Sequence, residues 1–175
     1  TQAFLALNPH GQVPVLRHGD GVVRESIAIL AYLDRLADGR LFGATPADAA
    51  SAWRNVMDFE NRLRPHLQVI ASVRFSGETE ARAAELADAE AQAEDGLDAL
   101  EATRATRRFI AGPALSAADF VVFPGLQWLA RALTRGPGGR LKRRLESARA
   151  IPRWATEIER IEGYPNTYPP HWSPA

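Results

Sequence analysis

The spacing of apolar positions changes character along this chain. Val13 to Leu16 is a short, partly β-branched run, His18-Gly19-Asp20-Gly21 supplies turn chemistry, and Val22-Val23 resumes an extended pattern. Together they predict an antiparallel hairpin. Pro14 cannot donate to a sheet ladder, so it marks an edge, a bulge or a strand start, and a cis bond before it is one open form. Thr1 to Gln12 leave no room for an element ahead of this strand. From Ser26 to Leu36 the residues Ile27, Ile29, Leu30, Tyr32, Leu33 and Leu36 fall on more than one side of a helix. Such a helix is expected between two layers, with Tyr32 in the core.

Ala37-Asp38-Gly39-Arg40 and then Gly43 to Pro46 form the clearest break, after which three-and-four spacing takes over. Trp53, Val56, Met57, Leu63, Leu67, Ile70 and Ala71 define one long helix, which Pro65 should kink. A second is predicted from about Glu78 to Thr103, with Leu86, Ala93, Leu97 and Leu100 on one stripe. Glu85, Asp88, Glu94 and Asp95 make its remaining surface acidic, and the two helices suit an antiparallel hairpin. Ser116-Ala117-Ala118-Asp119 has capping-box spacing, with Leu115 and Phe120 placed as a hydrophobic staple. The helix that follows is apolar almost all round from Phe120 to Leu129, as a central bundle member would be, and contains Pro124. Gly136-Pro137-Gly138-Gly139 then breaks the chain. A basic helix near Arg140 to Arg149 and a last helix from Ile151-Pro152 through Trp154, Ile158 and Ile161 complete the pattern. The stretch from Gly163 to Trp172 is too rich in proline for a helix and too aromatic to stay solvated, so it should pack back. The resulting division is residues 1–37, a linker at 38–45, and an all-helical part at 46–175.

Composition narrows the function. With 175 residues the chain can bury a real core, and its 21 basic and 21 acidic side chains cancel, so nothing predicts a polyanionic partner such as nucleic acid. There is no cysteine, so sulfur chemistry would have to use a ligand's sulfur. No run approaches the roughly 18 apolar residues of a membrane span, and the first residues lack the plan of a signal peptide. A cytoplasmic enzyme or binding protein is the expected class. His10, His18, His66 and His171 have no metal-ligand spacing, and no glycine-rich loop joins a strand to a helix as phosphate binding requires. The basic run Arg140, Lys142, Arg143, Arg144 and Arg149 reads as a solvated helix face.

One constellation suits a ligand. Gln12-Val13-Pro14 offers a backbone edge, and Glu25-Ser26 places a carboxylate and a hydroxyl at a helix start. A small zwitterionic peptide could lie along Val13 as an added strand. Ser26 and the free amides of the helix would hold its carboxylate, and Glu25 its ammonium. Read alone, Glu25 and Ser26 are also an ordinary helix start with an acid, Gln12 a loop amide, and His10 an exposed loop histidine.

The Val-Pro hairpin, the Glu25-Ser26 helix start, the linker and the helical part containing Ser116-Ala117-Ala118-Asp119 occur in the order of the cytosolic, bacterial-type glutathione S-transferases, which this chain resembles from Asn8-Pro9 to the final helix. The resemblance implies an α+β fold: part of a thioredoxin-like N-terminal domain, then an all-helical C-terminal domain. The family's first strand, first helix and second strand have no counterpart in the pattern. It implies glutathione as co-substrate without a metal, held by Gln12, Val13, Glu25 and Ser26, with Pro14, Ser116 and Asp119 structural. It implies glutathione transfer to a small hydrophobic electrophile, as in detoxification, by a homodimer. The electrophile pocket would lie between the domains, lined by the first long helix and the tail. A noncatalytic interaction module on the same fold is the alternative. The family's thiol-activating tyrosine, serine or cysteine is expected outside this stretch, because Tyr32, Tyr164 and Tyr168 are poorly placed for that role. Asp58 and Glu60 occupy the helix from which an acid sometimes reaches a neighbouring subunit's glutathione in that family, but they read better as a solvated helix face.

Overall fold

The computed structural model describes residues 1–136 and 139–169, and its first element corrects the sequence reading. Helix α1 spans Gln2–Leu7, ahead of the hairpin where no element was expected. Its residues are mostly good helix formers, and the Thr1 hydroxyl accepts the Phe4 N–H at 3.3 Å, but six residues are too few to display a period. The strands are shorter than the apolar runs suggest. β1 (Val15–His18) pairs antiparallel with β2 (Gly21–Arg24), Val15 opposite Arg24 and His18 opposite Gly21, so Val13 and Pro14 lie before the ladder.

Helix α2 (Ser26–Leu36) packs Ile27, Leu30 and Ala31 against the main core. The hairpin packs on it as well. Leu33, Leu36 and Tyr32 are exposed, and Tyr32 hydrogen-bonds the His18 ring at 2.8 Å instead of entering the core. Hydropathy reports what a face would bury, and only the tertiary arrangement says what is there to bury it. Buried Asp34 ties the end of α2 to the following segment by accepting the Leu41 N–H at 3.0 Å. The Leu41 carbonyl in turn accepts the Ala117 N–H at 2.7 Å, which fastens that segment to the helical bundle.

The C-terminal domain is all helical among the described residues. α3 (Pro46–Asp58) starts from a Thr45–Asp48 capping box with Pro46 in its first turn. It runs through a π-helical turn, Phe59–Leu63, into α4 (Arg64–Ser76). Pro65 explains the wide turn: with no N–H and a ring that crowds the carbonyl four residues back, it cannot close an ordinary turn. The kink expected at Pro65 therefore takes the form of this turn. Phe59 and Leu63 point inward, each onto a glycine. A Cβ on Gly125 would come within 2.5 Å of the Phe59 ring, and one on Gly96 within 2.8 Å of Leu63. Those close approaches require glycine at both positions.

α5 (Ala83–Thr106) starts later than the pattern predicted and buries Leu86, Ala89, Ala93 and Leu97 against α4. α6 (Ala117–Ala132) lies centrally, touching α2, α3, α4 and α8 (Ala150–Glu159). Fully buried Asp119 in its first turn accepts the Ser116 N–H (2.9 Å) and hydroxyl (2.7 Å), the Ile110 N–H (3.0 Å) and the Trp154 indole N–H (2.8 Å). A local helix cap thus also joins the preceding loop to α8.

The basic helix α7 (Gly139–Ser147) is not simply solvated. Arg140 pairs with Glu94 at 2.8 Å, Arg144 pairs with Asp98, and buried Arg74 of α4 meets Glu90 at 2.5 Å. Glu101 accepts the N–H groups of Arg149, Ala150 and Ile151, capping α8 from another helix. Acids spaced by three and four along α5 therefore hold α4, α7 and α8. The tail also departs from expectation: Tyr164–Thr167 forms a helical turn, α9, with Pro165 in its tolerated first-turn position. Tyr164 packs on Phe123, while the expected packing of Pro170 to Trp172 lies outside the described residues.

Candidate functional site

The loop before β1 is organised by a side chain the sequence reading passed over. Asn8, only 3% exposed, donates from Nδ2 to the Gln12 carbonyl at 2.6 Å and accepts the His10 N–H at Oδ1 at 3.1 Å. Its own carbonyl accepts the Gly11 N–H at 2.9 Å. The buried amide thereby fixes the path into Val13, where the Val13–Pro14 peptide is cis. Val13 is 80% exposed, and its backbone makes no hydrogen bond to another described residue. An N–H and a carbonyl are left facing outward at this point of the edge.

Immediately after β2, Glu25 adopts φ +68° and ψ +123°, a conformation rare for a residue with a side chain. Strain of this kind costs about 1–3 kcal/mol and persists where surrounding structure enforces it. No side chain caps α2, and its first internal bond runs from the Ile29 N–H to the Glu25 carbonyl at 2.9 Å. The first amides of α2, beside the exposed Ser26 hydroxyl, are therefore free to receive an anion at the positive end of the helix.

Gln12, Val13, Glu25 and Ser26 line one cavity of about 590 Å³, together with Gly11 and Ile27. The far wall comes from the helical domain: Glu60 in the π-helical turn, and Arg64 and Gln68 in α4. Nothing in the sequence pattern marks Arg64 or Gln68 as site residues, since Pro65 signals only a kink in a long helix. The cavity mixes carboxylate, guanidinium, amide and hydroxyl groups, so it suits a charged peptide-like molecule more than an apolar one. The first long helix contributes these polar groups to the cavity wall.

Other candidates lie elsewhere. Asp58 pairs with Arg62 at 3.3 Å and lines a separate cavity with Asn55 and Thr103. Ser116 and Asp119 belong to the α6 cap. Tyr164 borders an apolar cavity of about 580 Å³ with Phe120, Phe123, Pro124 and Ile161, where its hydroxyl accepts from Gln127 at 2.6 Å. Desolvation there pushes its phenol above the ordinary value. Among the described residues no group of three His, Asp or Glu side chains could hold a metal ion, and no helix is long and apolar enough to cross a membrane.

Comparison with known proteins decides the family. The model of the glutathione S-transferase N-terminal domain matches residues 1–41, and that of the C-terminal domain matches residues 83–166. The chain belongs to the glutathione S-transferase family. It is 34% identical over 126 residues to an elongation factor 1-gamma of Trypanosoma cruzi, a match covering 69% of this chain and 29% of that protein. It is 59% identical over 34 residues to a glutathione S-transferase 1 of Dianthus caryophyllus, covering 19% of this chain and 15% of that one. The chain thus matches less than a third of the length of these curated relatives. A crystal structure of a glutathione transferase of Populus trichocarpa is similar in fold, with a TM-score of 0.75 at 22% identity, covering 95% of this chain and 78% of that one. The small sheet with its helices and the helical domain are those of the glutathione S-transferase fold, with its thioredoxin-like N-terminal half.

Proposed function

We propose that the cavity between the hairpin and the π-helical turn binds glutathione, and that the protein uses the tripeptide's thiolate against a small hydrophobic electrophile. The observation that carries this reading is the convergence of Gln12, Val13, Glu25 and Ser26 on one cavity. Val13 offers its free N–H and carbonyl to the cysteinyl backbone as an added strand. Ser26 and the uncapped amides of α2 receive the γ-glutamyl carboxylate, and Glu25 answers the ammonium. Gln12 supports the cysteinyl-glycine backbone. In the reaction the sulfur lone pair forms the new S–C bond. In an addition the electrons of the attacked multiple bond move onto the electrophile, which then takes a proton from solvent. In a substitution the leaving group departs with the electron pair of its bond to carbon. The thiol proton passes to solvent beforehand, and a group that lowers the thiol pKa raises the reactive fraction. No described residue is assigned that activating role.

The same reading makes the protein a cytoplasmic homodimer with residues 1–37 and 46–175 as its two parts joined by 38–45. A second reading, a noncatalytic interaction module on this fold, is favoured by the likeness to a relative named as an elongation factor. Calorimetry with glutathione and turnover of an aromatic halide separate the two. Binding with turnover supports the transferase, and binding without turnover the module. Binding that survives the double change Glu25→Ala, Ser26→Ala unchanged would sink the site.

A further inference from the structure

A second cavity, of about 580 Å³, opens between α6, the end of α8 and α9, and it shares no lining residue with the one facing the hairpin. Its size falls within the roughly 300–1,000 Å³ of small-molecule sites. Phe120, Phe123, Pro124, Ile158 and Ile161 make most of its wall apolar, and Phe123 meets the Tyr164 ring edge-on at 5.7 Å. Two polar groups interrupt that wall. The Tyr164 oxygen accepts from Gln127 Nε2 at 2.6 Å, so its own O–H is not spent on that bond, and no described residue accepts it. Desolvation holds this phenol above its ordinary pKa, which keeps the proton in place at neutral pH. The second group comes from Pro124 inside α6. A proline has no N–H, so the Phe120 carbonyl lacks its ordinary helical donor four residues on. Glu162, the one charged residue lining the cavity, disfavours an anion there.

An O–H donor and a carbonyl acceptor set in an apolar wall complement a neutral group that both accepts and donates, carried on a flat apolar frame. A purely apolar occupant would strip water from the Tyr164 hydroxyl and the Phe120 carbonyl without replacing it, which costs binding energy. A carboxylate would meet Glu162 and a second acceptor. We propose that this cavity binds a neutral aromatic carboxamide, with Tyr164 donating to the amide carbonyl and the Phe120 carbonyl accepting the amide N–H. Phe120 and Phe123 receive the ring of the ligand through offset or edge-on contact. The site does not depend on glutathione, because the two cavities are built from different residues.

Equilibrium dialysis of the full chain would compare three probes of one shape: naphthalene carboxamide, the methyl ketone on the same ring, and methylnaphthalene. The carboxamide should bind about three- to tenfold more tightly than the ketone, as one further hydrogen bond allows. Tyr164→Phe keeps the ring and removes the donor. It should weaken the carboxamide and the ketone by about the same factor and leave methylnaphthalene unchanged. Thr167→Trp, at an exposed position of the wall, should exclude all three probes, and saturating glutathione should displace none. A Tyr164→Phe protein that loses methylnaphthalene equally would show a packing effect and overturn the assignment. So would a carboxamide that fails to bind or binds no better than the ketone, displacement by glutathione, or a Thr167→Trp protein that binds all three as before. Residues 170–175 follow the wall residue Pro169, so Trp172→Ala is the last arm. A gain of more than tenfold for all three probes in that variant would give the cavity to the chain's own end and overturn the carboxamide site, whereas unchanged affinities support it.

Discussion

Replacing Asp119 by alanine should unfold this domain far more readily than any surface change, because a single carboxylate ends four hydrogen bonds. Its acceptors serve the Ile110 N–H, the Ser116 N–H and hydroxyl, and the Trp154 indole, at 2.7–3.0 Å, with no exposed surface at Asp119. Ile110 and Trp154 are 2% and 0% exposed, so water cannot replace the lost acceptor for either. A buried donor left unpaired costs about 1–3 kcal/mol, so these two alone contribute roughly 2–6 kcal/mol. The loss at Ser116 adds to this, and partial collapse of the cavity subtracts. A cost of about 4 kcal/mol is therefore expected, a large part of the 5–15 kcal/mol typical of a domain. Urea unfolding followed by circular dichroism measures it as a shift in midpoint at constant slope. A cycle with Trp154→Phe isolates the indole bond and should show coupling of about 1 kcal/mol or more. A cost below about 1 kcal/mol for Asp119→Ala, or strict additivity with Trp154→Phe, would refute the view that this cap holds α8.

Glu25→Gly relieves the positive φ at the start of α2, so the variant should gain about 1 kcal/mol in urea unfolding while binding glutathione more weakly by calorimetry. A variant that is less stable, or that binds unchanged, would contradict the role given to the strained residue. At Glu101, burial raises the carboxyl pKa, but the N–H groups of Ala150, Arg149 and Ile151 and the charge of Arg144 lower it further, for a net value below the ordinary 4.5. A depressed native pKa stabilises the fold above the unfolded value and loses that stabilisation as pH falls through the native one. Glu101→Gln should therefore cost roughly 1 kcal/mol at neutral pH, as a lost helix cap does. Unfolding measured from pH 7 downward should show that gap closing only below about 4.5. A gap independent of pH would reject the charge as its source.

Local spacing carried much of the fold. The hairpin, the α2 helix and the change to three-and-four periodicity after residue 46 could all be read from alternation, turn residues and breakers, because those signals act over a few neighbouring residues. The signals that failed were short or depended on partners. α1 and α9 are too brief to show a period, and α9 hides behind its prolines. Tyr32 has the hydropathy of a core residue, yet its hydroxyl meets the His18 ring at 2.8 Å on an exposed face. The basic face of α7 looked solvated because Glu94 and Asp98 stand 46 positions away in sequence.

The candidate site divides in the same way. Gln12, Val13, Glu25 and Ser26 could be singled out by sequence, since a Val-Pro edge and an acid-hydroxyl pair at a helix start are local chemistry. Sequence did not give the strained backbone of Glu25, the buried Asn8 amide that fixes the Gln12 carbonyl, or the opposite wall. Glu60, Arg64 and Gln68 reach the cavity only because Pro65 forces a π-helical turn and two distant glycines admit Phe59 and Leu63 beneath it. Sequence determined which residues could hold a small peptide. The tertiary structure decided which charges would face it, because side chains far apart in the chain meet only when the core beneath them has packed.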